Sequence, residues 1–190
     1  MAAAASDDQP VAASDDRADV AAAVAGDAAA YARLVRRHQS AIARRMARFD
    51  RSAVEELTQE VFVQAYLSLD RYRGDAPLDH WLQRLATRVG YRHWQARAKR
   101  AHRPLSAAAD GAAPPAPVAV DHGALALLDQ LPPRDRLVLT LLYVDGRSVA
   151  EAADLAGWSQ TMVKVQAFRA RAKLKRLLIE HGLAPEGATP

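Results

Sequence analysis

The chain has 190 residues, half of them hydrophobic, and no cysteine. That suffices for one ordinary domain or two small ones, and it excludes disulfides and thiolate metal sites. The net charge is +4, but the first 19 residues hold five aspartates against Arg17 alone, leaving 25 basic and 17 acidic residues in the rest, a balance that suits a polyanionic partner. The start, MAAAASDDQP, lacks the basic and apolar regions of a signal peptide. The most apolar run, Leu137 to Val144, is too short to span a bilayer. A cytoplasmic protein without membrane insertion is therefore expected.

Residues 1–19 are alanine, aspartate and serine with Pro10, a composition that predicts a disordered acidic tail. A helical pattern begins near Arg17 and runs to Val24. Gly26 breaks it, and Asp27 can cap the next helix. There Tyr31, Leu34, Val35, Ile42 and Met46 fall at helical spacing. Arg33, Arg36, Arg37, Arg44, Arg45 and Arg48 lie on the other side, and most are read as a solvated face. Ser52 and Glu55 have capping-box spacing for a helix from Ala53 to about Leu69. Val54, Leu57, Val61 and Leu69 make one apolar face of it, and Phe62, Val63, Ala65, Tyr66 and Leu67 widen that face well past one stripe. One side of such a helix fits its own core; the other is left for a protein partner.

Tyr72-Arg73-Gly74-Asp75-Ala76-Pro77 reads as a loop. The helix after it runs from about Leu78 to Arg100, with Leu78, Trp81, Leu82, Leu85 and Val89 as its apolar face. His80, Arg84, Arg88 and Arg92 share another face at four-residue intervals. Asp79 is the only acid from Leu78 to Arg103, so like charges accumulate and imply an anionic partner. Tyr91, His93 and Trp94 interleave rings with the arginines, a combination that suits unstacked bases. Trp81 is read as core; for Trp94 the core and base-stacking readings stand level.

Pro104 to about His122 is rich in alanine and proline and reads as a flexible linker between two helical domains. A short helix is expected from Gly123 to Leu131. Pro132-Pro133 opens another, with core residues Leu137, Val138, Leu141 and Leu142, ending at Asp145-Gly146. Ser148 to Leu178 then reads as helix, turn and longer basic helix. Val149 to Leu155 is the first helix, Gly157 sits in the turn, and Ser159 is a natural cap for the second. That second helix carries Lys164, Arg169, Arg171, Lys173, Lys175 and Arg176 before its first acid, Glu180. This is the layout of a helix-turn-helix, whose second helix enters the DNA major groove; an ordinary helical hairpin with a solvated basic face is the blander alternative. The six histidines show no metal-ligand spacing. No phosphate-binding glycine loop or nucleophile motif is present, so no catalytic residue, metal or cofactor is assigned.

Taken together, GDAAAYARLVRRH, EELTQEVFVQAYLSLDRYRGDAP and WLQRLA in the first half, and LDQLPPRDRLVLTLLYVDGRSVAEAADLAG and VKVQAFRARAKL in the second, resemble the bacterial extracytoplasmic-function sigma factors of the sigma-70 family. The similarity covers roughly residues 22–103 and 123–180. It implies an all-α protein of two small helical domains: a region 2 domain over 20–103, a linker over 104–122, and a region 4 helix-turn-helix domain over 123–182, with tails at 1–19 and 183–190. It further implies a non-enzymatic initiation factor that binds core RNA polymerase through its clamp and flap, binds promoter DNA, and is held by an anti-sigma factor.

By the same resemblance, Glu56, Gln59, Glu60, Gln64 and Asp70 belong to the polymerase-docking helix. Tyr72, Arg73, Gly74, Asp75 and Ala76 line the pocket for a base flipped from the minus-ten element, and Arg84, Arg88, Arg92, His93 and Trp94 help hold the melted strand. Ser159, Gln160, Thr161, Lys164, Val165, Gln166, Phe168, Arg169 and Arg171 belong to the helix that reads the minus-thirty-five duplex. The chain departs from the family pattern at Arg88, where Asn is usual, at Arg92, where Asp is usual, at Thr161-Met162 in place of Gly-Thr, and at Gln166 in place of Arg. Two other readings remain: a helix-turn-helix regulator acting without polymerase, and a degenerate sigma acting only as an interaction protein.

Overall fold

A computed structural model describes residues 9–101 and 126–183, with side chains from Asp15 onward. These residues form seven α-helices with short 3-10 turns and no strand. They belong to two compact units that divide at Gly90, within the fourth helix. The all-α, two-domain class expected from the sequence is what is observed. The expected linker, 104–122, and the tail beyond Leu183 lie outside the described residues.

The first unit contains α1 (Gln9–Val24), α2 (Ala28–Met46), α3 (Val54–Leu67) and the start of α4 (Leu78–Ala101). Asp27 caps α2, its carboxylate accepting from the Ala29 and Ala30 N–H groups at 2.8 and 3.1 Å. Leu34, Ile42 and Met46 of α2, Leu57, Val61 and Ala65 of α3, and Leu78, Leu82, Ala86 and Val89 of α4 are buried. These are the helical stripes that periodicity predicts. The box expected between Ser52 and Glu55 is not formed. Asp50 instead accepts from the Ser52 N–H at 2.9 Å and caps a 3-10 turn, Arg51–Ala53, which precedes α3.

The acidic segment is not the structureless tail that composition suggests. Its helix begins at Gln9, and only residues 1–8 lie outside the described part. Asp16 and Asp19, one turn apart, are buried together with Val20 and Ala23. The Arg33 guanidinium donates to Asp19 at 2.8 Å, Arg37 donates to Asp19 at 3.0 Å and also pairs with Asp16, and His38 Nε2 lies 3.0 Å from Asp16. Arg33 and Arg37 are therefore fastened to α1 and not merely a solvated face. Repulsion along α1 is cancelled by arginines that stand 14 to 21 residues later in the chain.

The second unit holds a 3-10 turn (Leu128–Gln130), α5 (Pro133–Leu139) continued by a π-helical turn (Thr140–Val144), α6 (Val149–Ala156) and α7 (Gln160–Glu180). Of the short helix expected from Gly123, residues 123–125 lie outside the described part, Ala126 and Leu127 are helical, and Leu128–Gln130 tighten into the 3-10 turn. Pro133 occupies the first turn of α5, where a missing N–H costs nothing. Leu137, Val138, Leu141, Ala152, Leu155, Val163, Ala167 and Ala170 form the core.

Two outcomes follow from this packing. The Gly90 Cα faces Phe49 so closely that an added Cβ would fall 2.3 Å from the ring, which is itself buried. The variant G90A should lose about 1–3 kcal/mol of stability in urea unfolding, the usual cost of overpacking a core. The hydrogen bond from Arg33 first, then that from Arg37 and their charges, holds the Asp19 carboxyl below its usual range, against the opposing effect of burial. Its contribution is complete above the unfolded carboxylate pKa of about 3.9 and is lost as pH falls through the lower folded value. The variant D19N should flatten the acid limb of the stability–pH curve, checked by thermal melts from neutral pH into acid.

Candidate nucleic-acid interface

The helix-turn-helix forms as its local signals dictate. Ser148 and Glu151 make a reciprocal capping box at the start of α6: the Ser148 hydroxyl accepts from the Glu151 N–H at 3.2 Å, and the Glu151 carboxylate accepts from the Ser148 N–H at 2.8 Å. Gly157 closes α6 at φ +69°, a left-handed conformation that favours glycine. Ser159 caps α7 by accepting from the Met162 N–H at 3.1 Å.

The inner face of α7 is small and apolar, with Val163, Ala167 and Ala170 at most 5% exposed. Its outer face carries Thr161, Lys164, Val165, Phe168, Arg169 and Arg171, all exposed. Gln160 and Ser159 are exposed at its N-terminal end. Arg171 donates to the Tyr143 hydroxyl at 2.8 Å, which ties the outer face to the π-helical turn.

Gln166 is the exception in this set. Its amide donates to Asp135, a carboxylate 1% exposed inside the unit, and Lys173 donates to the other oxygen of Asp135 at 2.5 Å. Gln166 thus points to α5 and is not presented to a ligand. The reason is electrostatic: a carboxylate removed from water must be hydrogen-bonded or paired, and residues 166 and 173, two turns apart, supply both. The sequence marked this position only as a lost arginine. Asp135 itself carries no local signal of burial.

In the first unit, the loop from Tyr72 is held at both ends. The Tyr72 hydroxyl donates to the Ala76 carbonyl at 2.7 Å, and its ring lies 5.5 Å from that of Trp81. Burial pushes the Tyr72 phenol above its usual pKa. Gly74 takes φ +76° at the apex, and Arg17 of α1 approaches its carbonyl at 3.5 Å. Arg73 and Asp75 are exposed.

Along α4, Arg88 and Arg92 are exposed, and Arg84 and His93 are half-buried. Trp94 is 4% exposed, and the Arg136 guanidinium lies 3.8 Å from its ring centroid within the second unit. A ring enclosed in this way is not offered to an incoming base, so Trp94 leaves the expected strand-binding set. Its helical position alone could not decide between the two readings.

On α3, Glu56, Gln59 and, just beyond the helix, Asp70 are exposed, while Glu60 and Gln64 are half-buried. Between them the helix exposes Val63, Tyr66 and Leu67 at 48, 58 and 67%. These three line one wall of an apolar groove of about 750 Å³, whose other wall includes Tyr31 and Val35 of α2. The Tyr31 hydroxyl donates to the Phe62 carbonyl, and its ring packs edge-on against Tyr66 at 5.0 Å. Burial raises the Tyr31 phenol to about 12. The groove lies between helices already locked together.

Among the described residues, no cluster of His, Cys, Asp and Glu could hold a metal ion, and no helix is long and apolar enough to cross a membrane. The geometry defines a helical arrangement with a helix-turn-helix in one unit and an exposed apolar face in the other. The sigma-70 region 2 family model matches residues 30–100 and the sigma-70 region 4 model matches residues 123–174.

The ECF RNA polymerase sigma-E factor of Escherichia coli K12 is 30% identical over 167 residues, covering 77% of this chain and 85% of its own length. The probable RNA polymerase sigma factor RfaY of Xanthomonas campestris is 34% identical over 174 residues, covering 83% of this chain. This chain spans only 42% of that relative's length. The structure of CnrH in complex with the cytosolic domain of CnrY superposes with a TM-score of 0.54 at 29% identity, covering 87% of this chain and 98% of CnrH. The chain belongs to the extracytoplasmic-function sigma factors of the sigma-70 family.

The placement of Gln166 separates it from its neighbours on α7. The variant Q166A should destabilise the chain by about 1–3 kcal/mol through the under-bonded Asp135 carboxylate, and should leave the salt dependence of DNA binding unchanged. By contrast, K164A should reduce the slope of log affinity against log salt by about 1, the signature of one phosphate contact.

Proposed function

We propose that this sigma factor docks on core RNA polymerase through the exposed face of α3 and directs initiation at promoters that it reads twice. The region 4 unit, assigned to residues 123–182, binds the minus-thirty-five element as duplex. The region 2 segment, assigned to residues 20–103 and so reaching past the division at Gly90 along α4, binds the minus-ten element after melting. The observation that carries the reading is the coexistence of two unlike surfaces in one chain. One is an apolar face on α3 that duplex DNA would not need; the other is an outward cationic face on α7 that an ordinary protein contact would not need.

Val63, Tyr66 and Leu67 supply the apolar contact with the clamp, and Glu56, Gln59 and Asp70 supply polar contacts around it. This is the usual anatomy of a protein interface, an apolar centre with a polar rim. The loop Tyr72–Ala76, fixed at both ends, forms the recess for a flipped base. Extruding a base costs a few kcal/mol, so a loop already fixed by the Tyr72–Ala76 hydrogen bond and nearby cations suit the step. Arg73, Arg84, Arg88 and Arg92 supply the cations. Trp94 and Gln166 take no part in DNA contact. On the second unit, Ser159, Gln160, Thr161, Lys164, Val165, Phe168, Arg169 and Arg171 face the duplex. The flap of the polymerase is assigned to this unit as well.

An anti-sigma factor is the proposed regulator. The apolar face of α3 and the groove beside it would be hidden from polymerase by such a partner. CnrH in complex with the cytosolic domain of CnrY is a related fold held by another protein.

The test uses the full chain with purified core polymerase and a promoter library. The chain should co-elute with core and yield promoter-specific run-off transcripts. The double variant Val63→Glu, Leu67→Glu should weaken core binding at least about tenfold, as expected for losing an apolar hot spot. Both positions are exposed, so duplex binding and the unfolding midpoint should be retained. Wild-type protein that binds duplex but never core would contradict the reading and favour a regulator acting alone.

A further inference from the structure

The outer face of α7 is not uniformly basic. Thr161, Val165, Phe168 and Ala172 recur at spacings of four, three and four residues, so they form one line along the helix. That line is opposite the buried Val163, Ala167 and Ala170 and is fully outward. Phe168 is 69% exposed and Val165 45% exposed. On one side of the line stand Lys164, Arg171 and Lys175; on the other stand Arg169 and Arg176, and all five are exposed. The helix therefore presents a central apolar stripe between two cationic rows.

We infer that this stripe makes the chain select thymine methyl groups within its upstream element, with Val165 and Phe168 as the specificity-determining pair. The inference rests on α7 being the duplex-reading helix. A helix about 10–12 Å across fills a major groove about 12 Å wide, so its two edges meet the two phosphate backbones and its centre meets base edges. Cations at the edges and not at the centre fit that division. Val165, Phe168 and Ala172 have no side-chain donor or acceptor. The one base-edge feature in the major groove that they can recognise is the C5 methyl of thymine. Gln166, which could have read adenine with its amide, is committed to Asp135. The paired cationic rows favour a polyanion over an apolar protein as the occupant of the stripe.

The experiment starts with the full-length protein on core polymerase, selecting upstream elements from a randomised duplex library. Each thymine of the enriched element is then replaced by deoxyuridine, which removes the methyl and nothing else. At two or more positions the replacement should weaken binding about fourfold, the effect of one buried methyl. Phe168→Ala and Val165→Ser should each abolish the thymine–uracil difference at one of those positions. Both sites are exposed, so an unchanged unfolding midpoint confirms that the variants are folded. Enrichment of a defined element in which every thymine tolerates uracil would overturn this inference and leave the duplex-reading role intact. If no element is enriched, that role fails and the inference is overturned with it. Variants that lose capture of a protein partner while keeping the methyl dependence would also overturn it, by assigning the stripe to that partner.

Discussion

The buried carboxylate of Asp135 fixes what α7 can show to the outside. A charge removed from water costs several kcal/mol unless its oxygens are satisfied, and here Gln166 and Lys173 satisfy both. Residues seven apart lie on one side of a helix, so these two bonds set the rotation of α7 about its own axis. The small inner residues Val163, Ala167 and Ala170 then allow close approach to the core. With the inner face pinned, the outer face follows: Thr161, Val165, Phe168 and Ala172 at the centre and cations on both flanks. The first unit uses the same device. Asp16 and Asp19 hold Arg33, Arg37 and His38 of α2, so acids stand inside where helices meet. Buried ion pairs are poor evidence of net stability, but breaking one strands a charge, so packing arrangements that separate these partners are disfavoured. In both units that choice determines which side chains are left for a partner.

The exposed part of α3 has a different character. Tyr31 and Tyr66 brace each other at the wall of the groove, and Val63 and Leu67 face outward beside them. A helix that is apolar on its inner side and again on its outer side has more hydrophobic surface than its own core can take. Proteins seldom leave such a surface contiguous unless another surface covers it. On the proposed reading, this apolar face takes the polymerase and the cationic face of α7 takes the duplex, as suits a factor that brings polymerase to a sequence.

Much of this was legible in the sequence, because much of it is set locally. Asp27, Gly157 and Ser159 act within one turn of their own positions, and the resemblance to sigma factors rests on segments whose order is preserved. The Ser-x-x-Glu spacing occurs at Ser52–Glu55 and at Ser148–Glu151, yet only the second forms a box, because Asp50 captures the Ser52 N–H first. The acidic first helix looked structureless because its compensating arginines are on α2. Gln166 and Trp94 were grouped with DNA contacts because nothing adjacent to them reveals that Asp135 or Arg136 claims them. The π-helical turn at Thr140–Val144 likewise has no marker in its own residues. The partner of Gln166, 31 residues away, is written in the three-dimensional packing and not in local spacing.

The most direct measurement of the two-surface mechanism is permanganate reactivity of thymines across a selected promoter, with and without core polymerase. With the full chain and core together, thymines in the downstream element should become reactive because the duplex there has opened, while the upstream element stays paired. With the chain alone, the upstream element should be the only part occupied and no thymine should become reactive. Reactivity that never appears in the presence of core, on DNA that the chain demonstrably occupies, would contradict the assignment of Tyr72–Ala76 and the arginines of α4 to the melted strand.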